Sequence, residues 1–287
     1  MKLQLEILPK EQLELYPHLK TITDMDFTLF GGTAIALQLG HRVSIDFDFF
    51  TDKDISHLHT KLLNLKNIKI AQITQQSNNT LVFTTHNGVK LSFFGTLEFV
   101  KLAGKIYSEN KILKLADLTA LLTTKLKATC DRAEYKDYID IITILKTNQV
   151  SLEEGLRQIK NYFGNEFPLI NIVKGLTYFK DGDLHRLSKE DKEFLYEKVN
   201  KLDFRKIESQ NHTQNKNQNS YNYTKKESSS LEESISKLDE AIKEQSARVS
   251  KPKPNYEEQK NIEQHNENLE NSNKENSNQN TIKRKNK

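Results

Sequence analysis

Apolar residues recur with regular spacing along the chain up to about Phe204 and almost vanish beyond it. From Pro9 to about Thr23 their spacing predicts a short amphipathic helix. Phe27–Phe30 is a brief apolar run ended by Gly31–Gly32, the pattern of a buried strand entering a tight turn. Thr33 stands where a hydroxyl would cap the helix Ala34–Leu39, and Gly40 would end it. A second strand is predicted over Ser44–Phe50. Residues Asp52–Leu65 have helical spacing, with Ile55, Leu58, Leu62 and Leu63 on one side. Two more strands follow at Ile68–Ile73 and Leu81–Thr85. Asn87–Gly88 is a hairpin turn signal, because both positions tolerate positive φ, and it leads into a strand over Val89–Phe94.

From Lys111 the period changes. Leu113–Leu145 places apolar residues three and four apart and predicts two long helices. Leu152–Phe163 and Glu190–Val199 continue the helical pattern, with a loop around Lys180–Asp183. The expectation is an α+β protein: a small mixed β-sheet domain over 1–108, an α-helical domain over 109–206, and a polar tail over 207–287. The tail is rich in Asn, Gln, Lys, Glu and Ser, which bury too little apolar area to offset chain entropy, so it is expected to be disordered. One island interrupts it. Ser230 and Glu233 have capping-box spacing, and Leu231, Ile235, Leu238 and Ile242 follow at helical intervals. They predict a short helix over 230–247, either transient or made for a partner or a second copy.

Composition changes this picture little. The 287 residues carry a net charge of +4, with 43 basic against 39 acidic side chains. No large basic block stands out, so a nucleic-acid partner is permitted without being demanded. Cys130 is the single cysteine, which excludes an internal disulfide and suggests a reducing compartment. The first residues lack the continuous apolar core of a signal peptide, and no apolar run approaches the ~20 residues that span a bilayer. A cytoplasmic protein that avoids membranes is expected.

The stretch Phe30–Phe50 holds the chemistry. Alternation along a strand points Ser44, Asp46 and Asp48 one way and Ile45, Phe47 and Phe49 the other, toward the core. Residues two apart on a strand lie ~7 Å apart at Cα, close enough for two carboxylates to converge on a divalent cation, magnesium or manganese. Without it, like charges would repel and raise a pKa. Gly31 and Gly32 let a ligand approach the backbone, and the helix start offers free N–H groups suited to phosphate. Either element alone is commonplace. Together they point to a metal-bound nucleoside triphosphate.

These residues, Gly31-Gly32-Thr33, His41-Arg42 and Asp46-x-Asp48, resemble the nucleotidyltransferases of the AbiEii/AbiGii toxin family, within the DNA polymerase β-like superfamily. A second stretch, Asp117–Ile141, agrees: Lys125, Arg132, Lys136, Asp137 and Asp140 stand where that family carries a Lys, an Arg, Lys-Asp and a further Asp. Arg132, Lys136 and Asp140 are spaced by four, as one polar stripe on a helix would require. The resemblance implies Asp46 and Asp48 as metal ligands and Gly31, Gly32, Thr33, Arg42, Lys125 and Arg132 as nucleotide-binding residues. It further implies Lys136 on the triphosphate, with Asp137 or Asp140 orienting it or assisting the acceptor. In the superfamily a third carboxylate often stands on a neighbouring strand, where this chain has Ser92. The general base would then be Asp137, Asp140 or the substrate, or catalysis would be reduced.

The resemblance implies transfer of a nucleoside monophosphate from an NTP to an acceptor hydroxyl, an RNA 3′ end such as that of tRNA or a protein side chain. The enzyme would be the toxin of a toxin–antitoxin or phage-defence system, with a cognate antitoxin as partner. Two rival readings stand beside it: a small-molecule nucleotidyltransferase of aminoglycoside type, and a non-catalytic nucleotide- or partner-binding protein. Lysines along Lys101–Lys127 are candidates for an acceptor cleft. His57, His59 and His86 have no metal-ligand spacing, and Cys130 reads as a small packing residue.

Overall fold

The structure, a computed structural model, describes residues 1–203 together with Ile207. The tail and its expected helix over 230–247 lie outside the described residues. The chain opens with α1 (Lys10–Leu15), a 3₁₀ turn over Tyr16–Leu19 that contains Pro17, and α2 (Lys20–Asp24). The single amphipathic helix predicted here is thus divided. The sheet-forming half then comprises β1 (Thr28–Phe30), α3 (Gly31–Leu39), β2 (Asp46–Phe50), α4 (His59–Leu63), β3 (Ile70–Ser77), β4 (Thr80–Thr85) and β5 (Lys90–Phe94). A short helix α5 (Phe99–Leu102) precedes the strands β6 (Lys105–Tyr107) and β7 (Lys114–Ala116). Helices follow as α6 (Leu118–Ala128), α7 (Tyr135–Lys146), α8 (Leu152–Phe163), α9 (Leu169–Thr177) and α10 (Lys189–Asn200).

The architecture is α+β, a mixed seven-stranded sheet in the order β3-β4-β5-β2-β1-β7-β6 with helices packed on it. β1 and β2 run antiparallel, with Phe30 opposite Asp48, whereas β2 and β5 run parallel, with Asp46 opposite Lys90 and Asp48 opposite Ser92. Gly88, at φ +83°, makes the predicted turn between β4 and β5. α5, β6 and α9 are additions to the sequence reading, whereas β7 corrects it: the helix expected from Leu113 begins only at Leu118, because Lys114–Ala116 pairs with β1 and β6 in the sheet. β6 and β7 are three residues each, too short to show a period.

Phe47 and Phe49 hold β2 in place. Both are fully buried, and Phe49 stacks on Phe93 at 5.5 Å between ring centroids. Burial of such a side chain contributes roughly 1.5–3 kcal/mol. A register slip of one residue would expose both rings, so their burial fixes the opposite face as the one bearing Asp46 and Asp48. Ile45 departs from the expected pattern. It lies before the first ladder residue of β2 and is 62% exposed instead of packed on the core.

Candidate active site

The helix α3 begins directly at Gly31, with Phe30 as its N-cap and no side chain capping its first turn. The Gly-Gly pair is therefore the opening of the helix, and the separate turn expected before Ala34 does not form. Gly31 has φ +72°, and a Cβ there would lie 2.6 Å from Asp48 Oδ2. A Cβ on Gly32 would overlap the Arg42 guanidinium. Two side chains of the site thus press against bare backbone, which explains why glycine is needed twice. The first amides of a helix have no intrahelical partner, so this end offers donors. As predicted, Gly40 closes α3 in the left-handed conformation, at φ +66°.

Thr33 does not cap the helix. It lies in the first turn, is 1% exposed, and its hydroxyl meets Ser44 Oγ at 2.9 Å and the backbone carbonyl of Asp46. It ties α3 to the beginning of β2.

Asp46 and Asp48 project from β2 into a pocket of about 490 Å³. Gly31, Gly32, Arg42, Lys125, Arg132 and Lys136 line the same space, joined by Val43, Ser44, Ile45 and Lys90. Burial raises the Asp48 pKa. A hydrogen bond from Ser92 works against the shift, and the neighbouring Asp46 charge adds to it. Neither Asp46 nor Asp48 forms an ion pair among the described residues. Two like-charged groups held together without a direct ion pair, with the Lys90 and Lys125 charges only nearby, suit a hard divalent cation. Magnesium needs only one or two protein carboxylates when substrate phosphates complete its shell. No group of three or more His, Cys, Asp or Glu gathers as a metal site among the described residues, so any ion here would draw its remaining ligands from substrate and water.

Asp137 and Asp140 stand elsewhere. Both are fully buried on α7, behind the basic side chains of the pocket. Asp140 Oδ1 accepts from Arg42 Nε at 2.7 Å and contacts His41 Nε2 at 2.7 Å, while Oδ2 accepts from Arg42 Nη2 at 2.8 Å and faces Lys125 Nζ at 2.8 Å. Asp137 receives Lys125 Nζ at 2.6 Å on Oδ1 and Arg132 Nε at 2.7 Å on Oδ2. Burial alone would raise both pKa values. The hydrogen bonds and charges of His41, Arg42 and Lys125 outweigh it at Asp140, and those of Arg132 and Lys125 outweigh it at Asp137, so both are lowered.

The expected stripe of Arg132, Lys136 and Asp140 is not formed. Arg132 precedes α7, Asp140 faces inward, and Lys136 is exposed, 3.0 Å from Glu134. The arrangement is instead an alternating row in which Arg42, Asp140, Lys125, Asp137 and Arg132 each neutralise the next. Lys90 was not foreseen. It shares a face of β5 with Ser92, but its position beside Asp46 depends on the parallel pairing of β2 with β5, which no local pattern announces.

The crystal structure of an antigenic nucleotidyltransferase-like protein from Paracoccidioides brasiliensis is similar over 58% of this chain and 94% of its own, at 18% identity and a TM-score of 0.38. An uncharacterized protein of Aquifex aeolicus (strain VF5) is 30% identical over 188 residues, 61% of this chain and 86% of that one. No helix among the described residues is long and apolar enough to cross a membrane. The family model of the AbiEii nucleotidyl transferase toxin, of type IV toxin–antitoxin systems, matches residues 20–217, more than half of the chain, and the chain belongs to that family.

Proposed function

We propose that this nucleotidyltransferase moves a nucleoside monophosphate from an NTP to the 3′ hydroxyl of an RNA, tRNA foremost, as the toxin of a two-component system with a cognate antitoxin. The observation that carries the reading is one pocket holding two unpaired carboxylates, a bare helix start and five basic side chains.

Asp46 and Asp48 would hold the divalent cation, which when bound neutralises the triphosphate and polarises the attacked phosphorus. The amides at Gly31 and Gly32 and the side chains of Arg42, Lys125, Arg132 and Lys136 bind the phosphate chain. The acceptor oxygen forms a bond to the α-phosphorus as the bond to pyrophosphate breaks. Asp137 and Asp140 act as positioning residues, because every one of their oxygens is already taken by a basic group. A carboxylate paired in this way is a weak base. That leaves a phosphate oxygen of the substrate to receive the acceptor's proton. Ser92 holds Asp48 by a hydrogen bond where a third carboxylate would otherwise stand.

The charge of the pocket also favours one acceptor over another. Lys90 stands on the β5 side of the carboxylates and the other basic groups line the pocket with it, so an anionic acceptor is attracted and a polycationic aminoglycoside repelled. The test is incubation with each NTP and magnesium, in the presence of tRNA, protein or aminoglycoside. Pyrophosphate release and a nucleotide mass added to RNA are expected from the wild type and not from Asp48→Ala. Equal NTP binding by both proteins, without turnover in either, would overturn the catalytic reading.

A further inference from the structure

Two aliphatic side chains in the pocket wall are left in water. Val43 is 58% and Ile45 62% exposed, and both line the pocket that contains Asp46 and Asp48. Scattered exposed aliphatic residues are ordinary on a protein surface. Here two β-branched residues sit two positions apart on a segment that belongs to neither β1 nor the ladder of β2. Between them Ser44 is held by the Thr33 hydroxyl, so the segment is anchored at its middle while its flanking side chains stay outside.

Every other lining residue among those described is charged or polar, or is a glycine. Arg42, Lys90, Lys125, Arg132 and Lys136 are basic, and Asp46 and Asp48 acidic. Among the described residues, Val43 and Ile45 are therefore the only apolar side chains lining this pocket. A nucleoside triphosphate is divided in the same manner, with a polyanion at one end and a flat, weakly polar ring at the other. Where the phosphates engage the basic groups and the glycine helix start, the ring requires a surface that does not compete for its hydrogen bonds. Aliphatic side chains provide such a surface, and covering them removes apolar area from water.

We propose that Val43 and Ile45 seat the nucleobase of the incoming NTP, gripping it by its face. This rests on the nucleotidyl-transfer reading above and adds a substrate contact that the glycine and carboxylate motifs do not supply.

The experiment compares the full-length wild type with a Val43→Ser, Ile45→Ser double variant and with Ile45→Leu. Calorimetric titration in magnesium uses two probes: the NTP turned over fastest and inorganic tripolyphosphate, which has no base. The double variant is expected to bind the NTP about tenfold more weakly, with tripolyphosphate binding unchanged and Ile45→Leu close to wild type. Unchanged NTP affinity in the double variant would overturn the proposal. So would equal weakening toward both probes, since the residues would then shape the pocket rather than touch the base. A rise in KM for the acceptor alone would move the seat to the acceptor and overturn it as well. If the wild type binds neither probe, the failure lies with the nucleotide reading of the whole pocket.

Discussion

Replacing Asp140 by Asn tests the distinction between carboxylates that build the pocket and those that act in it. Asp140 is fully buried, and its two oxygens serve His41, both ends of the Arg42 fork and Lys125. An amide of the same shape has one acceptor in place of two, and its NH₂ would face donors on either Arg42 and Lys125 or Arg42 and His41. Lys125, itself 6% exposed, would then retain only Asp137 as its counter-charge. Removing one partner of a buried ion pair costs about 3–5 kcal/mol. For a folded region of this size, each kcal/mol corresponds to roughly 2–4 °C. Scanning calorimetry of the ligand-free protein at neutral pH should therefore show Tm falling by roughly 6–20 °C. The pH dependence supplies an independent check. Because the folded Asp140 pKa is lowered, its stabilisation is complete above the unfolded value near 3.9 and is lost as pH falls through the folded value. Wild type and variant should converge in strong acid. A Tm shift under about 2 °C together with complete loss of transfer would refute the structural role and make Asp140 a chemical participant.

Asp46→Asn and Asp48→Asn should behave in the opposite way. Each should abolish transfer, by at least ~10³-fold for several kcal/mol of lost electrostatic stabilisation, while leaving apo Tm equal or higher. The Asp48 pKa is raised, so the stability it contributes is present below the unfolded value and fades as pH rises through the folded one. The advantage of Asp48→Asn in Tm should accordingly grow from about pH 4 toward neutrality, and a pH-independent difference would contradict that assignment. Gly31→Ala combines a left-handed backbone cost of ~1–2 kcal/mol with displacement of Asp48. It should lower Tm modestly and activity severely, and an active variant would show that Asp48 does not need its present position. Lys136→Ala removes an exposed pair with Glu134, worth about 0–1 kcal/mol. Stability should hardly change while the KM for NTP rises, and an unaltered KM would remove Lys136 from the phosphate site.

The carboxylate face of β2 was legible in the sequence because it depends on local rules. Alternation over Asp46–Phe50 assigns carboxylates and phenylalanines to opposite faces whichever strand lies alongside. The glycines were equally visible, although their function in the fold is to admit Asp48 and Arg42 rather than to make a turn. Ile45 was misplaced because period two was extended beyond the ladder that enforces it. The polar stripe on α7 failed for a related reason: spacing by four has meaning only when all members lie in the helix, and Arg132 does not. The burial of Asp137 and Asp140 could not be read from spacing at all, since it depends on Lys125 of α6 and Arg42 of the α3–β2 segment meeting them across the fold. Lys90 was hidden behind a parallel strand pairing, which leaves no turn signal between its members.

The two sides of the pocket come from distant stretches of the polypeptide. Gly31, Gly32, Asp46 and Asp48 lie within a single β1–α3–β2 unit, whereas Lys125, Arg132 and their buried partners belong to α6, α7 and the link between them. During synthesis the carboxylate side therefore emerges from the ribosome first, with only part of the basic lining beside it. Docking of the later helices adds Lys125, Arg132 and Lys136 to Arg42 and Lys90, which the earlier segments already carry. A nascent or partly unfolded chain thus lacks the complete pocket, whose two charged sides meet only when the tertiary structure is finished.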